Sequence, residues 1–144
     1  MITNFDYLKN ESKFSRFADV AISAEKIILM DPEASIINSR RAMEFAIKWM
    51  YSVDSELEMP YQDNLQSLMN AEDYRQIVGQ DLWKRMDYIR RCGNNVAHSN
   101  KKFGRDEAML CLENLFIYLD FISYCYSDPV SYTHLRAHET ELHL

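Results

Sequence analysis

Apolar residues recur at three- and four-residue intervals through most of this chain, and little interrupts them. Phe14, Phe17, Ala21, Ala24 and Ile28 make one stripe. Ile36, Met43, Ile47 and Met50 make a second, with Ile37 and Trp49 flanking it, and Leu82, Met86 and Ile89 a third. Ala108, Leu112, Leu115, Leu119 and Ile122 make a fourth, edged by Phe116 and Tyr126. That period places each set on one face of an α-helix. Only three glycines and three prolines occur in 144 residues, so few points force a helix to stop. No useful strand-like alternation, internal repeat or low-complexity segment accompanies the stripes. The expected fold is all-α, a bundle of four to five helices.

Punctuation residues set the expected boundaries. Asn4 to Leu8 forms a short opening turn, and Ser12 caps a helix over about residues 13–30. Asp31-Pro32-Glu33 restarts the chain as a helix over 32–52: the Asp caps, the Pro suits the first helical position, and the Glu complements the positive helix end. After a polar connection at 52–64, Asp63 caps a short helix, and a further piece spans 71–78 and ends at Gly79. The next helix covers 80–92, with Gly93 as the residue that stops or kinks it. Residues 99–104 are a loop before the last helix, 105–127.

Hydrophobic residues make up 47% of the chain, enough for one packed domain, expected over residues 4–128. No uninterrupted apolar run reaches the ~18–20 residues that span a bilayer, and no basic leader precedes an apolar stretch at the start. Cys92, Cys111 and Cys125 are odd in number and lack C-x-x-C spacing, so reduced thiols in a cytoplasmic protein are expected. Residues 129–144 change character: they lack a helical stripe and hold three of the four histidines, His134, His138 and His143. Their V-S-Y-T-H-L resembles the translation of GTC-TCT-TAT-ACA-CAT-CTN, the end of a sequencing adapter. The tail is therefore expected to be a read-through scar, with the native protein continuing past Asp128, and its histidines are not taken as a metal site. No metal and no cofactor are expected.

The net charge of −6 disfavours nucleic acid on average, yet residues 84–105 hold seven basic residues against one acid, Asp87. Within this stretch runs "IRRCGNNVAH", residues 89–98. The isolated glycines at 79, 93 and 104 exclude a P-loop, and G-x-S-x-G and H-E-x-x-H are absent too. On a continuous helix Cys92 and His98 diverge by ~120°, which disfavours a Cys/His nucleophile pair. By contrast Arg90, Asn94 and His98 share a face, and Arg91 and His98 lie within ~20° of alignment. Guanidinium groups grip phosphates through paired donors, and an imidazole carries protons near neutral pH. Three readings stay open. The stretch is structural, with Gly93 supplying an unusual backbone angle and Asn94 and Asn95 capping; or Arg90, Arg91, Asn94, His98, Lys101 and Lys102 bind phosphates or a partner; or His98 and Arg91 cleave RNA without metal. On the second helix Arg40 and Glu44 are expected to pair; if Glu44 faces inward it holds Arg90 or Arg91 instead. Trp49, Trp83 and the tyrosines read as core and core edge rather than a base-stacking platform.

These residues also carry a resemblance. Ala24-Glu25, Asp31-Pro32, Arg41 to Glu44, and Ile89-Arg90 followed by Gly93-Asn94 and His98 are similar to the pattern of a helical domain of unknown function. That domain is found at the N-terminus of type I restriction enzyme R subunits and related DEAD/DEAH-type helicase proteins. The similarity covers roughly residues 4–127. It also resembles HEPN domains, small helical bundles that often dimerise and whose ribonuclease members carry Arg, four to six residues, then His. Arg91 and His98, with six residues between, fit that spacing; Arg90, with seven, does not. The resemblance implies an accessory domain of a DNA-translocating restriction endonuclease whose ATPase and nuclease domains lie outside this chain. It would bind nucleic acid or restriction-complex subunits, or form a homodimer, with Gly93, Arg41 and Glu44 in structural roles. The ribonuclease and a purely structural dimerisation module are the alternatives.

Overall fold

In the computed structural model, which describes residues 2–98 and 102–127, all regular structure among the described residues is helical. Two 3-10 turns, Asp6–Asn10 and Ser12–Phe14, lead into α1 (Ser15–Ile27). Then come α2 (Pro32–Val53), α3 (Leu65–Asn70), α4 (Glu72–Val78), α5 (Gln80–His98) and α6 (Arg105–Tyr126). Four long helices make the body and two short ones form a link, one element more than the upper expectation. The adapter-like tail and Lys101 lie outside the described residues.

Helix α2 is the hub and packs against α1, α5 and α6, while α6 also packs against α5. The start of α2 follows its local code: Asp31 accepts from the Ala34 amide at 3.0 Å, with Pro32 behind it. Two expected caps are corrected. Ser12 opens a 3-10 turn, and α1 begins behind Phe14 without a side-chain cap. For α3 the cap is Asn64, which accepts from the Ser67 amide at 2.9 Å, rather than Asp63. Gly79 has φ of 82° and turns the chain between α4 and α5, a backbone angle glycine adopts without strain.

All four apolar stripes enter one core, and Phe14, Phe17, Met43, Ile47, Met86, Ile89, Leu112 and Leu119 are fully buried or nearly so. At ~1.5–3 kcal/mol per buried large apolar side chain, burial of these stripes is what holds the long helices together. Helix α6 has 22 residues and a most apolar window of mean hydropathy 1.4. By length and composition it is the one helix among the described residues that qualifies to cross a membrane, which counting uninterrupted runs had missed because Glu113, Asn114 and Asp120 break the run. Here its Ala108, Leu112, Leu115, Leu119 and Ile122 side chains are spent on the core.

Several polar groups inside the bundle are paired, although the Ser39 hydroxyl on α2 is buried without a partner among the described residues. The Tyr74 and Tyr118 hydroxyls lie 2.6 Å apart and both reach the Met50 sulfur. Burial pushes both phenols well above their ordinary pKa. The Tyr51 hydroxyl donates to the Leu68 carbonyl at 2.7 Å, and the Trp83 indole to the Met69 carbonyl at 2.7 Å, pinning α3 to the bundle. Buried Glu25 accepts from the Asn4 backbone amide at 3.1 Å and from its side-chain amide at 3.2 Å, tying the N-terminal turn to α1.

Candidate functional site

The stretch 89–98 is one continuous helix. Gly93 does not stop α5, and its φ is not positive, so the expected unusual backbone angle is absent. Its role is spatial. A Cβ built on Gly93 would sit 2.3 Å from Cδ of Arg40, because the aliphatic stem of Arg40 lies across the glycine where α2 meets α5. Glycine here lets two helices approach closely and seats an arginine between them.

Continuity fixes the azimuths. Arg91 and His98 stand within ~20° on one face, separated by ~10 Å of helix rise. Arg91, Asn95 and His98 are exposed, Asn94 is half-buried, and Lys102 lies exposed just beyond the helix. The Phe103 amide donates to Glu33 at 3.1 Å, which ties the segment before α6 to the start of α2.

Asp87, the only acid in the basic stretch, controls both arginines. Arg90 places Nε and Nη2 on one of its oxygens, each at 2.9 Å. Arg91 places Nε on the other at 3.1 Å. Asp87 lies one turn N-terminal to Arg91, so the Arg91 guanidinium is drawn away from His98 rather than toward it. With Arg91 on Asp87, a phosphate at His98 is out of its reach; joint contact requires Arg91 to leave Asp87. The two guanidiniums differ in availability: the Arg91 side chain is 62% exposed and that of Arg90 only 20%. This clamp was readable in the sequence as i,i+3 and i,i+4 spacings from Asp87.

Arg40 and Glu44 form the expected i,i+4 pair, at 3.6 Å, and Glu44 also holds Lys48 at 3.1 Å. Glu44 therefore does not reach Arg90 or Arg91; Asp87 takes that place. Arg41 points elsewhere, over the ring of Phe45.

Sequence reasoning missed a second feature of this helix. Buried Cys92 faces Cys111 of α6 and the Tyr88 hydroxyl. The hydrogen bond from Cys111, aided by Tyr88 and by the charge of Arg91, outweighs burial and draws the Cys92 thiol down to about 7, while Cys111 is pushed up. The signal lay in two separate helices and emerges only when α5 and α6 pack. No group of three or more His, Cys, Asp or Glu side chains among the described residues is placed to hold a metal ion. No family model, curated protein or solved structure matches this chain.

Proposed function

We propose that this chain is a HEPN-like helical accessory domain of a cytoplasmic, DNA-translocating protein of the type I restriction R-subunit kind. Its own role is non-catalytic: it contacts nucleic acid phosphates through the end of α5. The observation that supports this reading is the exposed row Arg91, Asn95 and His98, with Lys102 beyond it, on a helix end anchored to α2 by the Gly93–Arg40 contact. A rigid platform with exposed cationic tips suits backbone contact, which positions a strand without reading its bases.

Binding of labelled DNA and RNA across a salt series tests it. Affinity is expected to fall linearly on a log–log plot, and Arg91→Ala with His98→Ala is expected to flatten the slope. A salt-independent affinity, or unchanged binding in the double variant, refutes nucleic-acid contact there and favours docking of a partner subunit. The alignment of Arg91 with His98 on one face favours a second reading, metal-independent RNA cleavage, in which His98 moves the proton and Arg91 leaves Asp87 to stabilise the phosphate. RNA products in EDTA that vanish with His98→Ala would establish it.

A further inference from the structure

The flank of α2 that packs against α1 carries cations with no role so far. Arg16 of α1 and Arg41 of α2 both lie over the Phe45 ring, 4.5 and 5.7 Å from its centroid. Two cations each within about 6 Å of one ring centre stand no more than about 12 Å apart. Neither makes an ion pair among the described residues; Arg41 adds one hydrogen bond, to Asn38 at 3.3 Å. The nearby acids are already taken, Asp19 by Lys9 and Glu44 by Arg40 and Lys48. A ring face orients a guanidinium but leaves its N–H fork open, so two like charges are held together without a counter-charge.

Beside them α1 and α2 enclose a groove of about 310 Å³. Arg16, Lys48 and Ser52 line its polar edge, and Phe17, Phe45 and Trp49 its apolar wall. Trp49 is fixed in place by edge-on contacts with Phe14, Phe17 and Tyr126, centroids 5.3 to 5.9 Å away. The volume is at the small end of ligand clefts, which run from about 300 Å³ upward. Open guanidinium forks next to a rigid aromatic wall complement an anion joined to a flat ring.

We propose that this groove binds a nucleotide unit, with the phosphate on the open N–H fork of Arg16 at its polar edge, the base against Trp49, and Arg41, outside the groove over the same Phe45 ring, adding positive charge. The unit arrives either as a free mononucleotide or as one residue of a single strand. None of the groove residues lies on α5, so the site stands independently of the contact proposed there.

Calorimetric titration of the full chain at low salt tests this, with adenosine 5′-monophosphate, inorganic phosphate and a short oligo(dT) strand as probes. Saturable binding of the mononucleotide is expected, weakened about tenfold or more in Arg16→Gln/Arg41→Gln, in line with loss of charge-assisted hydrogen bonds. Arg16→Lys/Arg41→Lys, which keeps the charge but not the fork, is expected to fall between. Arg91→Ala/His98→Ala is expected to leave mononucleotide affinity unchanged, which separates this site from α5. Binding of the strand alone that persists in Arg91→Ala/His98→Ala and is lost when the Gln pair is added to it supports the same site with the polymer as source. The proposal is overturned if neither nucleotide probe saturates, if the Gln and Lys pairs bind like wild type, or if inorganic phosphate binds as tightly as the mononucleotide.

Discussion

The basic run that ends α5 and the Arg16/Arg41 pair on the α1–α2 flank both present guanidinium groups to solvent, but different partners hold them. On α5 one carboxylate grips two arginines, so the densest cluster of positive charge in the chain is partly neutralised from within. On the flank, two arginines far apart in sequence meet over one phenyl ring and keep their charge. The α5 end is also seated through backbone, because the Arg40 stem lies across Gly93, whereas the flank pair hangs on a single side chain. Charge density along a sequence and free charge on a folded surface are thus different quantities, and the difference is set by which acids fall within hydrogen-bonding reach.

The largest effect should come from attacking the α5 seat. Gly93→Leu is expected to cost about 2–3 kcal/mol in chemical denaturation through overpacking against Arg40. Arg40→Ala in the same chain should recover much of it, and no recovery would mean that Gly93 serves some other contact. High pH separates cation geometry from core stability, since arginines stay charged. The core phenols Tyr74 and Tyr118 have raised pKa values, so their contribution is complete below about pH 10. It is lost as pH rises and the unfolded phenols ionise, about 1 kcal/mol per phenol between pH 10 and 11. Thermal melts should show that decline, and Tyr74→Phe/Tyr118→Phe should flatten it.

Next in size is the clamp. Asp87→Asn frees both arginines and is expected to tighten strand binding by up to about tenfold and steepen its salt slope. Weaker binding would mean that Asp87 holds the arginines in the binding geometry, and the contrast between the two regions would fail. The smallest effect compares neighbours. Arg41→Ala, removing a surface side chain, is expected to change stability by less than about 0.5 kcal/mol. Arg40→Ala, removing a stem packed between helices, is expected to cost about 1 kcal/mol or more by the same denaturation assay.

The bundle was legible because its cause is local. Apolar side chains repeating with the helical period announced α1, α2, α5 and α6, and Asp31-Pro32 and Gly79 marked turns by chemistry confined to a few residues. The boundary at Gly93 was misread for the same reason: in isolation a glycine after an apolar run reads as a stop, and only the arginine packed across it explains a glycine inside a helix. The choice between Asn64 and Asp63 as cap turned on a one-residue shift that spacing does not resolve. At the candidate site, Asp87 was visible but counted only as a charge. The Cys92–Cys111 contact and the arrival of Arg16 from α1 over Phe45 join residues from different helices and had no local trace, whereas Arg41 and Phe45 are i,i+4 neighbours on α2.

By itself, then, the order of residues determined that this chain is helical, where most helices begin and end, and which faces turn inward, since periodicity and capping act within a turn or two. Tertiary packing alone decided why a glycine sits in mid-helix, which thiols face each other, and which cations from distant segments come to share a surface. Those outcomes depend on how helices are rotated and spaced against one another, and no single segment carries that information.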